Sequence, residues 1–230
     1  VGPLVLKKGQ LNYWASYDLL RGNYKLIIGK HGKEMSKDTF QLKDKVVAIT
    51  GASSGFGYHF AQVLAQKGAK VVVGARRKDK LKQCVKEIEQ EGGHAKACEL
   101  DVLEKESISN FLETAIETYG ACDVLINNAG VEAGAKTYQT TEEKDWNYVI
   151  DTNLKSAWLA SKIYTDLIIK KEFSCGNIIM ISSITDSRTI KGQFSYAVSK
   201  GGLTRMTEVM ALEAAKFNIR VNALAPGYFL

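Results

Sequence analysis

The sequence predicts a single α/β domain built on a doubly wound parallel sheet of the Rossmann type. From Lys45 onward, short apolar runs alternate with longer amphipathic runs, as strands and helices do when they follow one another in turn. The short runs are apolar throughout, as expected of strands that helices cover on both faces. With 230 residues, 45% of them hydrophobic, the chain is long enough for one sizeable core.

The apolar runs define six predicted strands: Val46 to Thr50, Val71 to Gly74, Ala95 to Leu100, Val124 to Asn127, Ile178 to Ser182 and Ile219 to Leu224. The runs between them predict helices near residues 57–67, 79–91, 105–119, a pair over 141–172, and 196–217. Gly68, Gly92 and Gly120 stand where helical C-terminal caps belong. Thr140 and Glu143 have capping-box spacing, which predicts the start of the fourth helical region.

Residues 1–40 differ from the rest, because their short mixed runs follow neither a helical nor a strand period for long. We therefore expect an N-terminal leader over residues 1–40 and the folded domain over residues 41–230.

Composition argues against nucleic-acid and membrane partners. The net charge is +6, but residues 1–34 alone hold six Lys/Arg against two Asp/Glu, so the remainder is only mildly basic. No later stripe of basic residues is interleaved with aromatics, and we expect no nucleic-acid partner. No apolar run reaches the roughly 18 residues of a membrane span, and the N-terminus lacks a signal-peptide pattern, so no membrane partner is expected.

The cysteines and histidines argue against a disulfide framework and a metal site. The four cysteines show neither a Cys-x-x-Cys clip nor an obvious pairing, which favours reduced thiols and a cytoplasmic location. His31, His59 and His94 lack ligand spacing, so no metal is expected. No Gly-x-Ser-x-Gly elbow presents a nucleophile.

A glycine-rich segment, Thr50 to Gly57, joins the first strand to the first helix. Gly51 permits the tight turn, Gly55 allows close approach of a pyrophosphate, and Gly57 allows close packing of helix and strand. The helix N-terminus adds backbone amides and a positive dipole. The segment therefore predicts a dinucleotide site, and the alternative is a glycine-rich turn that holds no ligand.

The second predicted strand ends in Gly74, Ala75, Arg76 and Arg77, where a carboxylate would bind the ribose 2′-hydroxyl of NAD(H). No carboxylate is present, and Arg76 would suit a 2′-phosphate. NADP(H) is therefore favoured over NAD(H). The alternative is that both arginines are solvated charges at a sheet edge.

Tyr196 and Lys200 lie four residues apart, so a helix places the phenol and the ammonium on one face. A nearby cation favours the phenolate and moves the tyrosine pKa toward neutrality. The pair is therefore a candidate for proton transfer, although such spacing alone also occurs by chance.

Three segments together resemble the short-chain dehydrogenases/reductases: the glycine-rich segment, Asn127 to Gly130, and Tyr196 to Lys200. The resemblance runs from about Lys43 to the last residue. It implies a catalytic set of Asn153, Ser183, Tyr196 and Lys200. It also implies a cofactor-binding set of Gly51, Ser53, Ser54, Gly55, Phe56, Gly57, Arg76, Asp101, Val102, Asn128, Ala129, Gly130, Tyr196, Lys200, Pro226 and Gly227.

Within this resemblance, Asp101 matches an adenine contact and Pro226-Gly227 matches the turn beside the nicotinamide. Simpler readings remain open for three residues: Ser183 capping a turn, Asn153 facing solvent and Asp101 capping the next helix.

The resemblance implies an NADP(H)-dependent oxidoreductase that transfers a hydride between the nicotinamide and a carbonyl or alcohol substrate. Residues 131–139 and 184–194 would line the pocket, but they do not choose between a 3-oxoacyl thioester, a sugar ketone and a simple ketone. Two alternatives are a catalytically silent NADP(H)-binding sensor and an inactive fragment. The chain stops at Leu230, where the family continues through a lid and a last strand, so we expect poor catalysis and association through an unpaired strand.

The resemblance also implies a homodimer or homotetramer. In the family, the fourth helical region and the helix after Tyr196 form a subunit interface, which makes Trp158 and Tyr164 candidates for contacts between subunits.

Overall fold

Six parallel strands form the sheet in the part of the chain that the structure, a computed structural model, describes: residues 42–188 and 190–227. The expected leader over residues 1–40 lies outside the described residues. The strands are β1 (Val46–Thr50), β2 (Lys70–Ala75), β3 (His94–Glu99), β4 (Val124–Asn127), β5 (Gly176–Ile181) and β6 (Ile219–Leu224). Their order in the sheet is β3-β2-β1-β4-β5-β6, which confirms the doubly wound Rossmann-type prediction.

Burial follows position in the sheet. All five residues of β1 are buried, as are five of the six in β2, because helices cover both faces of these interior strands. In the edge strands β3 and β6, buried residues are interspersed with more exposed ones. His94 and Lys96 of β3 and Arg220 of β6 are not buried. The expectation that every strand is apolar throughout is therefore wrong for the two edges.

The helices are α1 (Gly55–Gln66), α2 (Lys78–Gln90), α3 (Lys105–Tyr119), α4 (Glu143–Ile150), α5 (Ser156–Lys170) and α6 (Phe194–Ala214). The expected pair over 141–172 is continuous, since a π-helical turn, Asp151–Lys155, joins α4 to α5. Gly68, Gly92 and Gly120 all have the positive φ expected just past a helix end.

The capping-box prediction is wrong. Glu142, not Thr140, is the N-cap residue of α4. The Thr140 hydroxyl oxygen instead accepts a hydrogen bond from the Thr137 backbone N–H at 2.9 Å. The Thr140 side chain therefore forms a hydrogen bond within the preceding turn and does not cap α4.

Two apolar clusters cover the faces of the sheet. One contains Phe111 of α3, Tyr164 of α5 and Leu203 of α6, and the other contains Ala61 of α1 and Leu81 of α2. Tyr164 is 1% exposed, and burial raises the pKa of its phenol. Its role as a contact between subunits is therefore excluded.

The Tyr164 hydroxyl lies 2.9 Å from the backbone carbonyl oxygen of Asp123 and accepts from the backbone N–H of Asn177 at 3.1 Å. Trp158, in contrast, is 48% exposed. Among the described residues, no helix combines the length and apolarity needed to cross a membrane.

Candidate functional site

A cleft runs along the carboxyl ends of the strands, where the strand order reverses between β1 and β4. Parallel α/β sheets bind their ligands at such a point. A cavity of about 410 Å³ beside Gly51 forms what we call the glycine half, and one of about 380 Å³ beside Tyr196 forms the tyrosine half. The halves adjoin, because four residues line both: Phe56, Asn128, Gly130 and Val131.

Two glycines allow the glycine-rich segment to lie against the loop after β4. Gly51 has a φ of 68°, and a Cβ there would lie 2.7 Å from the Ala129 Cα. A Cβ on Gly57 would lie 2.4 Å from Nδ2 of Asn128. Larger residues at either position would force the loop away. Gly57 therefore serves close packing as predicted, but the partner it meets is chiefly Asn128.

Gly55 differs from these two glycines. Its φ is 58°, and no atom lies within 4 Å of the position that a Cβ would take. The backbone is thus approachable at the first turn of α1, where unpaired helical N–H groups favour an anion. This geometry fits a pyrophosphate.

Thr50 holds the glycine-rich segment to the loop after β4. Its hydroxyl oxygen accepts from the backbone N–H groups of Asn128 and Ala129, both at 3.0 Å. In return, Nδ2 of Asn128 donates to the carbonyl oxygens of Thr50 at 2.8 Å and Gly51 at 3.2 Å. Sequence reasoning named Asn128 and Ala129 but missed the role of Thr50, whose only signal was its place before Gly51.

Arg77 is the arginine that contacts the glycine-rich segment. Its Nη2 donates to the hydroxyl oxygens of Ser53 at 2.9 Å and Ser54 at 2.6 Å. Arg76, the residue that the sequence favoured, lines the same cavity. Both follow β2, an interior strand, so they do not lie at a sheet edge. The structure thus places two cations in the wall of the glycine half.

Asp101 and Val102 line the far side of the glycine half. The Asp101 carboxylate accepts from the Leu103 backbone N–H at 3.0 Å, and Ser107 accepts from the Asp101 backbone N–H at 3.0 Å. The N-cap residue of α3 is Glu104. Asp101 therefore shapes the turn before α3 but does not cap that helix.

Tyr196 and Lys200 occupy adjacent turns of α6, as their spacing predicted. The Lys200 Nζ lies 5.6 Å from the centroid of the tyrosine ring and donates to the carbonyl oxygen of Ile181 at 2.6 Å. Burial lowers the pKa of Lys200 to about 8. The ammonium is therefore within reach of exchanging a proton near neutral pH.

Ser183 lies two residues after the end of β5 and lines the same cavity. Its hydroxyl oxygen accepts from the Thr185 backbone N–H at 3.2 Å, so this bond leaves the hydroxyl hydrogen available for another acceptor. The residue also precedes a 3₁₀ turn, Ile184–Asp186, for which it is the N-cap. The simpler reading of Ser183 as a turn cap therefore holds together with its place in the cleft.

Asn153 lies in the π-helical turn and is only 1% exposed, so the alternative of an asparagine facing solvent is wrong. Its Nδ2 donates to the Val131 carbonyl oxygen at 2.9 Å and to Oγ of Ser199 at 3.1 Å, while its Oδ1 accepts from the Val131 N–H at 2.8 Å. A Cβ on Gly130 would lie 3.5 Å from Asn153 Oδ1 and 3.7 Å from Lys200 Nζ. The space beside Gly130 therefore faces both polar groups.

The remaining walls of the tyrosine half come from loops. Pro226 and Gly227 line it, and the Pro226 carbonyl oxygen accepts from the Ile184 N–H at 3.1 Å. Among the described residues of 131–139 and 184–194, five line this cavity: Val131, Glu132, Ile184, Thr185 and Gln193.

An aromatic cluster of Tyr138, Trp146 and Phe194 stands next to the tyrosine half, with ring centroids 6.3 Å apart for Tyr138 and Phe194 and 5.5 Å apart for Trp146 and Phe194. The two pocket loops are joined, since the Lys136 N–H donates to the Gly192 carbonyl oxygen at 2.7 Å. No group of three or more potential metal ligands was found within residues 42–188 and 190–227.

The family model described as short chain dehydrogenase matches residues 45–230. Over 188 residues the chain is 39% identical to the 3-oxoacyl-(acyl-carrier-protein) reductase FabG of Thermotoga maritima, a match that covers 82% of this chain and 75% of that protein.

Two solved structures are also similar. A variant of actinorhodin polyketide ketoreductase with NADPH is 31% identical, with a TM-score of 0.75 over 80% of this chain and 70% of that one. NAD⁺-bound xylitol dehydrogenase is 27% identical, with a TM-score of 0.77 over 82% of this chain and 72% of that one.

Proposed function

The chain belongs to the short-chain dehydrogenase family, and from this premise we propose that it is an NADP(H)-dependent oxidoreductase acting on a carbonyl or alcohol substrate. One observation carries the proposal: Ser183, Tyr196 and Lys200 line one cavity, and that cavity adjoins the glycine-rich segment.

The residues of the glycine half fit a dinucleotide phosphate. Gly55 leaves open space at the start of α1, where backbone N–H groups suit a pyrophosphate. Arg76 and Arg77 would hold the 2′-phosphate, and Asp101 with Val102 would border the adenine. Pro226 and Gly227 would border the nicotinamide. The cofactor, when bound, supplies or accepts the hydride.

In the reducing direction, Tyr196 gives its phenolic proton to the substrate oxygen. Ser183 donates a hydrogen bond to that oxygen as negative charge develops on it. Lys200, positively charged below its pKa of about 8, stabilises the tyrosinate that remains. In the oxidising direction the same groups act in reverse.

The supply of the replacement proton rests on Asn153. Both N–H groups of its side-chain amide are taken by Val131 and Ser199. Its Oδ1 keeps one lone pair after accepting from Val131, so it can accept from a water beside Gly130. Such a water would accept a hydrogen bond from the Lys200 ammonium and would pass a replacement proton from solvent toward Lys200 and Tyr196.

The NADP(H) preference is supported by Ala75, which leaves no carboxylate at the end of β2, and by the two arginines after it. The printed ligand of the ketoreductase relative is NADPH, whereas that of the xylitol dehydrogenase relative is NAD⁺. For this chain, Arg76 and Arg77 favour NADP(H) over NAD(H).

We place the homo-oligomer contact on the outer face of α5 and α6. Trp158 is 48% exposed there, Val209 46% and Leu212 82%. Apolar surface of this kind is stabilised by association. A Trp158→Glu variant should shift the mass measured by light scattering to that of a smaller species, and an unchanged mass would place the contact elsewhere.

The test of the function is NADPH consumption with three substrate classes: a 3-oxoacyl thioester, a sugar ketone and a simple ketone. The FabG relative makes the thioester the first to try. Turnover of at least one class supports the proposal. NADPH binding without turnover of any class would favour a silent NADP(H)-binding sensor instead.

A further inference from the structure

One carboxylate beside the tyrosine half has no part in the mechanism above. Asp186 ends the 3₁₀ turn, Ile184–Asp186, that follows Ser183. Its backbone N–H donates to the Ser183 carbonyl oxygen at 3.0 Å. The position of Asp186 is therefore coupled to that of Ser183, the residue that carries the candidate catalytic hydroxyl.

The Asp186 side chain reaches across to α6. Its Oδ2 accepts from Oγ1 of Thr204 at 2.7 Å and lies 3.4 Å from Oγ of Ser182. Thr204 is one helical turn beyond Lys200. The Ser182 Oγ lies 2.8 Å from Oγ1 of Thr204 and 3.2 Å from the Lys200 carbonyl oxygen. The carboxylate and both hydroxyls thus join the end of β5 to α6 at the level of Lys200.

The carboxylate fixes the direction of these bonds. An ionised carboxylate only accepts, and a threonine hydroxyl has a single hydrogen, so Thr204 gives that hydrogen to Asp186. In a hydrogen bond between Thr204 and Ser182, the Ser182 hydroxyl is then the donor. A hydrogen bond to a charged acceptor is about twice as strong as a neutral one.

We infer that Asp186 is a positioning residue that holds Ser183 in register with Tyr196 and Lys200, an inference that rests on the proposed function. Ser183 and Tyr196 come from different elements, so the contacts that join β5 and the 3₁₀ turn to α6 help to set the spacing of their hydroxyls. A single 3₁₀ turn has few bonds of its own. Misplacement of a reacting group by about 1 Å costs roughly 100-fold in rate.

We call the hydrogen bond between Asp186 and Thr204 the Asp186 bridge. Another hydrogen bond between β5 and α6 does not replace it. Lys200 Nζ also joins α6 to β5 by donating to the Ile181 carbonyl oxygen. In the proposed mechanism, however, the same ammonium stabilises the Tyr196 phenolate and takes part in replacing its proton. The bridge through Asp186 uses none of the reacting groups and can stay intact throughout turnover.

The test is a double-mutant cycle of Asp186→Ala and Thr204→Val. Each single variant should lower kcat by about tenfold or more while the Kd for NADPH changes less than about twofold. The double variant should be no worse than the poorer single variant, because both remove one bond. Asp186→Asn, which keeps an acceptor, should recover part of kcat. Ser187→Ala, in the exposed next position, is the matched control and should behave like the parent.

Unchanged kcat in Asp186→Ala, or losses that simply add in the double variant, would overturn the inference. A parent without turnover on any substrate class would defeat the proposed function, and amide hydrogen exchange over residues 182–187 would then decide the bridge. Exchange should be at least about tenfold faster in Asp186→Ala and Thr204→Val than in Ser187→Ala. Equal exchange rates in all three would refute the bridge.

Discussion

The two halves of the cleft hold their polar groups in different ways. In the glycine half, Ser54, Arg76 and Arg77 are exposed, and the arginine–serine bonds lie near the surface. In the tyrosine half, Lys200 is 4% exposed, and Asn153, which bonds to Val131 in its wall, is 1% exposed. The glycine half therefore presents charged side chains to solvent. The tyrosine half holds its polar groups buried, in positions fixed by hydrogen bonds.

This difference predicts different consequences of mutation. Exposed charges remain hydrated when a partner is removed, so changes in the glycine half should alter affinity and leave the fold intact. A buried polar group that loses its partner carries the full cost of desolvation. Changes in the tyrosine half should therefore alter rate, stability, or both.

The largest effect should come from Tyr196→Phe, which removes the reacting hydroxyl and keeps the ring. We expect kcat to fall at least about 100-fold, because a well-placed general acid contributes that much. The Kd for NADPH should hardly change. Steady-state kinetics and cofactor titration measure both, with Tyr148→Phe on the exposed side of α4 as control. A normal kcat in Tyr196→Phe would contradict the mechanism.

Cofactor preference is the matching test of the glycine half. We expect NADPH to bind more tightly than NADH by about 1.5–3 kcal/mol, which is about tenfold or more, if one charge-assisted contact decides it. The double change Ala75→Asp, Arg76→Leu should reverse the preference. Fluorescence titration gives the dissociation constants. Equal values for the two nucleotides in the parent would refute the assignment.

Arg77→Leu alone separates the two arginines. Because Arg77 contacts Ser53 and Ser54, its loss should weaken NADPH binding more than the loss of Arg76 if it is the principal phosphate contact. The reverse ranking would return that role to Arg76.

Asn153→Ala should destabilise the fold. It leaves the Val131 N–H and carbonyl and the Ser199 hydroxyl without their amide partner, at a cost of about 1–3 kcal/mol in the free energy of unfolding. Chemical denaturation measures the loss. Asn147→Ala, at an exposed position of α4, is the control and should change stability little. Equal stability of both variants would show that the buried network carries no net energy.

The last effect is the pH dependence of stability that comes from Lys200. Its folded pKa, about 8, lies below the ordinary 10.5, so between these values the unfolded chain holds a proton that the folded chain has lost. The free energy of unfolding of the parent, minus that of Lys200→Met, should rise with pH across this window by at most about 1.4 kcal/mol per unit.

Below about pH 8 both states carry the proton, and the burial penalty is fully present. The subtraction cancels the opposite contribution of the Cys122 thiol, whose pKa burial raises to about 12. A flat difference between the parent and Lys200→Met across the window would mean that Lys200 stays charged in the fold.

The sequence alone determined the features that depend on neighbours along the chain. The left-handed φ of Gly51 and Gly55, the strand before them and the helix after them are local properties. Tyr196 and Lys200 lie one helical turn apart, on the same face of α6, because of their spacing in the sequence alone. The alternation of runs fixed the parallel sheet, because strands in such a sheet are joined by crossover helices. Family membership, inferred from the same segments, is confirmed.

Only the tertiary structure decided which polar groups meet. Asn153 bonds to Val131, 22 residues away, and to Ser199, 46 residues away, and no local pattern reports such pairs. An apolar stripe on α5 cannot show which aromatic is core, so Tyr164 and Trp158 were not separable until the helix was packed on the sheet. Likewise, Asp186 has its role because β5 and α6 pack together. Sequence specifies each element through short-range geometry, whereas burial and long-range hydrogen bonds exist only once the elements are assembled.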